Sequence, residues 1–184
     1  MTQVKLISTS SPDLIGDIAY MARVSNPANQ SNELTSRKLV EYLIKHKHWS
    51  PFEMCGITME INTTRDIAHQ IVRHRSFAFQ EFSQRYADPA DMGYPFELRE
   101  CRLQDAKNRQ NSVETDDSLL HEHWIAQQKC VIDAASTAYN WALANGIAKE
   151  QARTVLPEGL TKTRLYMHGT VRSWIHFVDV RTTP

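Results

Sequence analysis

Apolar residues along this chain recur at two spacings, one typical of strands and one typical of helices. Residues 3–8 alternate between apolar and polar side chains, and residues 55–61 repeat that alternation with one apolar face. Residues 161–169 alternate in the same way. These segments predict strands of a sheet whose pairing we expect to be mainly antiparallel.

Other segments have the period of amphipathic helices. The first helix is predicted to begin at Ser11–Pro12, with Ser11 as its N-cap, and to end at Asn26–Pro27, because the residue before a proline avoids helical dihedrals. Further helices are predicted at residues 33–47, through residue 72 after a cap formed by Thr63 and Thr64, and at 117–145, 148–154 and 171–180. The long helix at about 117–145 is followed by Gly146, which is well placed to end it.

The arrangement of these elements predicts the fold class. Helices and strands are mixed without regular alternation, which favours an α+β fold, with helices flanking the sheet, over a doubly wound sheet. Residues 88–112 are mainly polar and contain two prolines and a glycine, so we expect a loop there. With 184 residues, 41% of them hydrophobic and 23% charged, the chain fits one globular domain over residues 1–184.

The balance of charges limits the classes of partner. The chain has 21 basic and 21 acidic residues and a formal net charge of zero, which does not favour a nucleic-acid-binding protein. The N-terminus lacks a basic start followed by an apolar run, and no stretch approaches the roughly 18 apolar residues that span a bilayer. We therefore expect a soluble, cytoplasmic protein that binds neither nucleic acid nor membrane.

Cysteine and histidine positions do not predict a metal site. The three cysteines, Cys55, Cys101 and Cys130, are widely spaced without a CxxC pair, so we expect reduced thiols. His121 and His123 lie two residues apart on the long helix, and such neighbours do not face the same ion.

Residues with distinctive chemistry are concentrated between positions 70 and 85. This segment contains cations, amides, a carboxylate and a hydroxyl, namely Gln70, Arg73, His74, Arg75, Gln80, Glu81, Ser83, Gln84 and Arg85. Guanidinium groups this close repel one another unless an anion lies among them, and arginine offers paired donors that match phosphate oxygens. The segment predicts a site for a nucleotide-like anion. A solvated, salt-bridged loop is the alternative that these residues alone leave open.

The order of residues in this segment resembles a family signature. Arg73-His74-Arg75, followed after seven residues by Ser83, resembles the RHRx7S signature of flavin-dependent thymidylate synthases, and Arg85-Tyr86 extends the match. Four other segments resemble motifs of that family in the same order: ARVSNP at 22–27, KHKHWSPFE at 45–53, QARTVLP at 151–157 and VRSWIHFVDVR at 171–181. The resemblance covers nearly the whole chain.

The resemblance implies two sets of site residues. FAD is implied to contact His48, Ser50, Glu53, Arg73, His74, Arg75, Gln80, Glu81, Thr170, Arg172 and His176. Deoxyuridine monophosphate (dUMP) is implied to contact Gln70, Arg73, Glu81, Ser83, Gln84, Arg85, Arg153 and Arg181. Arg181 is the implied catalytic residue, because a cation beside the uracil ring favours ionisation of a ring nitrogen.

The resemblance also implies a reaction and an assembly. NADPH reduces FAD, methylenetetrahydrofolate supplies the carbon, and the reduced flavin supplies the hydride that completes the methyl group. The implied assembly is a homotetramer with shared active sites, in which Arg153 reaches the nucleotide phosphate of a neighbouring subunit. Ser83 is expected to position the nucleotide, because no base is placed to activate its hydroxyl as a nucleophile.

The chain departs from the family pattern at a few positions. Ala78 and Gln80 stand where many members have Ser and Asn, and Thr170 and His176 stand where asparagines are common. Relatives usually continue past the position of Arg181 into a further helix, so we expect a domain that is short at its C-terminus. Two alternatives on the same scaffold stay open, a dUMP hydroxymethylase, in which water completes the reaction, and a nucleotide-binding protein without catalysis.

Overall fold

Helices and strands follow one another along the chain in the computed structural model, which describes residues 2–182. The strands are β1 (Gln3–Thr9), β2 (Gly56–Thr64), β3 (Ala78–Glu81), β4 (Leu103–Gln104), β5 (Ser112–Val113) and β6 (Lys162–Thr170). The helices are α1 (Leu14–Ala22), α2 (Ser36–Lys45), α3 (Arg65–Ile71), α4 (Ser118–Ala144), α5 (Lys149–Ala152) and α6 (Val171–Thr182). The predicted α+β class is confirmed.

The main sheet of the described residues has four strands in the order β1-β2-β6-β3. Strand β1 runs antiparallel to β2, with Val4 opposite Ile61, and β3 runs antiparallel to β6, with Gln80 opposite Tyr166. These pairings confirm the expected antiparallel sheet. The alternation pattern did not predict β3, because this short strand lies inside the polar segment that follows α3.

Both predicted ends of the first helix were wrong. The N-cap of α1 is Asp13, whose Oδ1 accepts a hydrogen bond from the Gly16 amide at 2.9 Å, so Ser11 is not the cap. The helix ends at Ala22, before Asn26, and Pro27 opens a separate 3-10 turn. Thr63 and Thr64 are the buried last two residues of β2, and α3 begins directly after them at Arg65, so their predicted role as a cap of this helix stays a prediction.

The segment expected to be a loop, residues 88–112, contains short regular elements. A 3-10 turn at Pro89–Met92 is closed by a reciprocal capping box between Asp88 and Asp91. Strands β4 and β5 form a small antiparallel ladder, with Leu103 opposite Val113. The expectation of a loop was therefore wrong in these parts, because the capping side chains of the 3-10 turn and the pairing of β4 with β5 satisfy backbone groups within the segment.

The long helix α4 confirms its prediction closely. Its N-cap is Asp117, whose side chain accepts from the Leu120 amide at 3.0 Å, and Gly146 follows its C-cap with a φ of 76°. Its buried side chains are Gln128, Ile132, Ala135, Tyr139 and Ala142, which follow helical spacing. In the part of the chain that the structure describes, no helix is both long and apolar enough to cross a membrane.

The described chain forms two compact units. The first unit contains Thr63–His69 and Phe82–Thr163, and its core includes Phe96, Ile132, Tyr139, Ala142, Ala152, Leu156 and Leu160. The second contains Thr2–Asn62, Gln70–Glu81 and residues 164–182, and its core includes Ile18, Leu43, Phe52 and Cys55. The expectation of a single domain over the whole chain stays a prediction.

The backbone at Lys47, just after α2, has an unusual conformation. Lys47 has a φ of 58°, in the left-handed region that side chains other than glycine adopt at a cost. Its amide donates to the Ile44 carbonyl at 3.1 Å, and the His48 amide donates to the Leu43 carbonyl at 2.9 Å. This is the Schellman arrangement, in which glycine is the usual residue at the position of Lys47.

We predict that Lys47→Gly raises the free energy of unfolding by about 1 kcal/mol, because glycine reaches this conformation without a Cβ clash. The matched change is Gly146→Ala, at a φ of 76°, which should lower stability by a similar amount. Urea denaturation of both variants and the wild type measures the two effects. A Lys47→Gly variant less stable than the wild type would contradict the prediction.

Candidate active site

The second unit contains a cavity of about 590 Å³ beside α6, which we call the α6 cavity. Ile44, Trp49 and Ile175 form an apolar part of its wall. Its charged or titratable lining residues are Lys47, Glu53, Arg172, His176 and Asp179. Arg172, His176 and Asp179 lie four and three residues apart, so successive turns of α6 present them on one face.

A hydrogen-bonded network at the start of α6 supports this cavity. Arg172 Nη1 donates to Glu53 Oε1 at 2.5 Å, and Thr170 Oγ1 donates to Glu53 Oε2 at 2.9 Å. The hydrogen bond from Arg172, followed by the one from Thr170, holds the pKa of Glu53 below its ordinary value. The Ser173 amide donates to Thr170 Oγ1 at 3.2 Å. The structure thus brings together predicted cofactor residues from the 45–53 turn and the last helix.

The donor set of the α6 cavity suits a flavin dinucleotide. Lys47 and Arg172 offer cationic donors for a diphosphate, and Trp49 with the neighbouring isoleucines offers an apolar surface for a planar ring. Three of the residues expected to contact FAD, namely Glu53, Arg172 and His176, line the cavity. The residues that the resemblance implies for FAD and the donors that line the α6 cavity therefore indicate the same class of ligand.

A second cluster in the same unit joins the signature segment to the end of α6. Arg181 Nη2 donates to the Gln70 carbonyl at 3.1 Å, and Arg181 Nε donates to His74 Nε2 at 3.3 Å. Partial burial first, and then the positive charges of Arg181 and His176, lower the pKa of His74. A neutral imidazole accepts the hydrogen bond from Arg181, so this pairing orients the guanidinium without a carboxylate.

Aromatic side chains pack beneath this cluster. The His74 ring lies 4.8 Å from the Phe177 ring, and the Phe77 ring lies 4.9 Å from the Trp174 ring. Gly169 permits this packing, since a Cβ atom there would stand 2.4 Å from Cδ1 of Phe77. The position of Phe77 therefore explains why this place in β6 has no side chain.

The first unit contains a smaller cavity of about 240 Å³, which we call the Arg153 cavity. It is lined by Arg65, Gln84, Arg153, Thr154, Leu156 and Glu158. Gln84 is only 3% exposed, and its Nε2 atom has no hydrogen-bond partner among the described residues. A buried amide without a partner costs stability, so this donor is available to a ligand with an acceptor oxygen.

The remaining predicted nucleotide residues of this unit lie along the same chain segments. Arg85 Nη2 pairs with Glu150 Oε2 at 3.3 Å, and Arg153 Nε donates to the Glu150 carbonyl at 3.2 Å. Ser83 Oγ accepts from the Arg85 amide at 3.4 Å, a contact that suits a positioning role. Glu150 therefore links the segment after β3 to the segment after α5.

Other predicted residues lie outside these hydrogen-bonded clusters. His48, Ser50, Arg73, Arg75 and Gln80 are exposed in the described structure, and Glu81 is partly buried at the end of β3. The ring of His48 lies 6.2 Å from the ring of Tyr42. The exposed residues are placed on the surface of the chain, where a ligand or another protein could cover them.

Sequence reasoning missed several residues that line the two cavities. They are Lys47, Trp49, Ser76 and Asp179 in the α6 cavity, and Arg65, Thr154 and Glu158 in the Arg153 cavity. Lys47 and Trp49 lie within the quoted turn motif but were not selected. Arg65 directly follows Thr64, the last residue of β2. Its position at the junction of a strand and a helix was the signal that could have identified it.

Comparison with known proteins gives a consistent family assignment. The family model described as thymidylate synthase complementing protein matches residues 5–184. A protein named as a probable flavin-dependent thymidylate synthase from Paramecium bursaria Chlorella virus 1 is 48% identical over 185 residues, with 97% of this chain and 84% of the relative covered. A flavin-dependent thymidylate synthase from Synechocystis sp. is 46% identical over 187 residues, with the same shares covered. The chain belongs to the flavin-dependent thymidylate synthase family.

A solved structure has the same fold. The chain is similar to a UMP/dUMP methylase, PolB from Streptomyces cacaoi, bound with 5-Br dUMP, at a TM-score of 0.80 and 26% identity. The match covers 100% of this chain and 79% of that chain. The predicted fold class and family are therefore confirmed.

We predict that Arg181→Gln raises the pKa of His74, because the substitution removes a positive charge from the ring's surroundings. NMR titration of the His74 ring protons measures the change, and Arg37→Gln serves as control, because Arg37 pairs with Glu41 on the surface of α2. In the wild type the folded pKa of His74 lies below the unfolded one, so its contribution to stability is present above the unfolded pKa and is lost as the pH falls. An unchanged His74 titration in Arg181→Gln would refute the influence of Arg181 on the pKa of His74.

Proposed function

We propose that the protein converts dUMP to deoxythymidine monophosphate (dTMP), with methylenetetrahydrofolate as carbon donor and FAD, reduced by NADPH, as the source of hydride. The single observation that carries this proposal is the cluster of Arg181 with His74 and Gln70. Its hydrogen bonds join residues 107 and 111 positions apart, one from the RHR signature and one from the segment just before it. Family membership supports the same reaction.

The nucleotide is proposed to bind through groups that suit its phosphate and base. Gln84 offers an unpaired amide, and Arg85 and Arg153 offer guanidinium donors that match phosphate oxygens in charge and geometry. The 5-Br dUMP in the structurally similar methylase supports a uridine nucleotide as the ligand class. Gln70, Arg73, Glu81 and Ser83 complete the proposed contacts with dUMP.

Arg181 is proposed to act on the uracil ring. A guanidinium beside a ring N–H stabilises the deprotonated form and lowers its pKa, which increases electron density at the carbon that receives the new group. His74 and the Gln70 carbonyl fix two of the Arg181 donors, so the cation is oriented before the substrate arrives.

The flavin is proposed to bind at the α6 cavity, where it would supply hydride chemistry that no amino-acid side chain provides. Arg172 and Lys47 would hold the diphosphate, and Glu53 keeps Arg172 in place through its hydrogen bond. Thr170 orients Glu53 in turn. His48, Ser50, Arg73, His74, Arg75, Gln80, Glu81 and His176 are the other proposed flavin contacts.

We further propose that the protein assembles as a homotetramer with shared sites. Helix α4 exposes large apolar side chains, including Trp124, Val131 and Trp141, at 41%, 49% and 62%. Exposed apolar surface on a regular helix is typical of an interface between subunits. A monodisperse, active monomer in analytical ultracentrifugation would contradict this part of the proposal.

The first test is anaerobic turnover of the purified protein with FAD, NADPH, methylenetetrahydrofolate and dUMP, with the nucleotide product identified by mass. We expect dTMP. A product heavier by one oxygen would instead identify a hydroxymethylase, which the synthase names of the relatives do not favour. Binding of FAD and dUMP without any product would identify a nucleotide-binding protein that has lost its chemistry.

The second test separates the roles of two arginines. We predict that Arg181→Ala lowers kcat at saturating dUMP by roughly 100-fold, as the loss of a positioned electrostatic donor does elsewhere. Arg153→Ala should mainly raise KM for dUMP, by roughly 10-fold or more, because it removes a charged hydrogen-bond donor to phosphate. Arg37→Ala is the control for loss of an exposed cation. Normal turnover by Arg181→Ala at saturation would remove Arg181 from the mechanism.

A further inference from the structure

The second unit contains a further cavity, of about 520 Å³, where α1 ends and α2 begins, and we call it the Arg23 cavity. Its volume lies within the range of about 300–1,000 Å³ that is typical of small-molecule sites. Its lining shares no residue with the α6 cavity or the Arg153 cavity, so the proposed reaction does not use it. The polar residues of its lining are Arg23, Ser25, Asn26, Asn29, Thr35 and Lys38.

Arg23 is a buried cation of this cavity, and only 8% of the residue is exposed. Among the described residues its guanidinium makes one hydrogen bond, from Nη2 to Thr35 Oγ1 at 3.0 Å, and no ion pair. A neighbouring cavity contains three carboxylates with which Arg23 does not pair, those of Asp13, Asp17 and Glu33. A hydroxyl carries no charge, and burial of a cation that no anion balances is costly. The remaining donors of Arg23 therefore suit an anionic ligand.

The carbonyl groups at the end of α1 do not replace this anion. The Tyr20 carbonyl accepts from the Arg23 amide, and the Met21 carbonyl accepts from the Val24 amide, both at 3.2 Å. The Arg23 carbonyl accepts from the Asn26 amide at 2.7 Å. Backbone amides thus satisfy these acceptors, and within the described chain the guanidinium bonds to none of them.

The rest of the lining adds positive charge and no negative charge. Lys38 is exposed and also pairs with no carboxylate among the described residues. The α6 cavity contains Glu53 and the Arg153 cavity contains Glu158, whereas the lining of the Arg23 cavity has no carboxylate. In a chain with a formal net charge of zero, two cations in a concave surface without acids create a local positive potential.

The first turn of α2 forms another wall of the cavity. This helix has ten residues, and its N-cap, Thr35, makes no side-chain capping hydrogen bond. The backbone amides and the dipole at a helix N-terminus favour negative charge. Asn29 Oδ1 accepts from Asn32 Nδ2 at 2.9 Å, a bond that orients the Asn29 amide. The buried guanidinium, the ammonium group of Lys38 and this helix end therefore favour the same charge of ligand.

We propose that the Arg23 cavity binds a small molecule that carries a phosphate group. A phosphate dianion balances the charges of Arg23 and Lys38, and arginine offers paired donors that match phosphate oxygens. The side chains of Ser25, Asn26 and Asn29 supply further donors. A single carboxylate has too few acceptor sites for all these groups. The proposal goes beyond the proposed reaction, because neither dUMP nor FAD is assigned to this cavity.

The test is calorimetric titration with pyrophosphate at constant ionic strength, with FAD and dUMP present at saturation to occupy the other two cavities. The wild type should bind pyrophosphate at one further site per chain. Lys38→Gln should weaken this binding by roughly 10-fold, because it removes a charged donor, and Lys38→Glu should abolish it. Arg37→Gln is the matched control and should change nothing, since Arg37 is the next residue on α2 and pairs with Glu41.

The Lys38 variants decide the outcome even if the buried Arg23→Gln variant, which should also lose pyrophosphate binding, fails to fold. Equal affinity in the wild type and Lys38→Gln, or no binding by the wild type, would refute the proposal. If Lys38→Gln changed only the sedimentation of the protein, the cavity would be an interface between copies, and the proposal would again be refuted. A wild type that bound neither FAD nor dUMP would contradict the proposed function alone, because the wild type and Lys38→Gln share the other two cavities.

Discussion

The anchored start of α6 is the constraint on which the second unit depends. Glu53 accepts hydrogen bonds from Thr170 and Arg172, and the amide of Val171 donates to the Cys55 carbonyl at 2.8 Å. These contacts bind the first turn of the helix to the turn that follows α2. Because a helix is stiff, fixing its first turn also fixes the direction in which its last turn lies.

Three faces of α6 contact three different parts of the second unit. Val171 and Ile175 pack against the core that contains Ile18, Leu43, Phe52 and Cys55. Arg172 and His176 line the α6 cavity. Phe177 and Arg181, four residues apart, face the ring of His74. One helix therefore supports the hydrophobic core, a proposed cofactor cavity and the proposed catalytic guanidinium, and loosening its first turn would disturb all three.

Polar groups in both units are held at a cost to stability that their proposed roles explain. The Gln84 amide lacks a partner inside the first unit, and burial of an unsatisfied amide costs about 1–3 kcal/mol. Lys47 occupies a left-handed conformation beside the α6 cavity, where glycine would be less strained. Both features fit a role as donors to phosphate groups. A bound ligand would satisfy these donors, whereas a sequence optimised for stability alone would not contain them.

The sequence determined the regular elements whose signals are local. The long helix α4, with Asp117 before it and Gly146 after it, was predicted within a residue, because capping groups and apolar spacing act over only a few positions. The family signature identified most of the proposed site residues for a similar reason, since its spacing is visible along the chain. The start of α1 was misplaced because Ser11 and Asp13 are both plausible caps, and only one bonds to the helix.

Tertiary structure alone decided which of those residues meet. Strand β3 exists because Ala78–Glu81 pairs with β6, more than eighty residues later in the chain, and no local pattern encodes that partner. Likewise, folding brings distant segments together so that Arg65 pairs with Glu158 and Arg181 donates a hydrogen bond to His74. Local physics fixed the chemistry that each segment offers, whereas packing and burial fixed which groups face one another, because those contacts join residues far apart in the sequence.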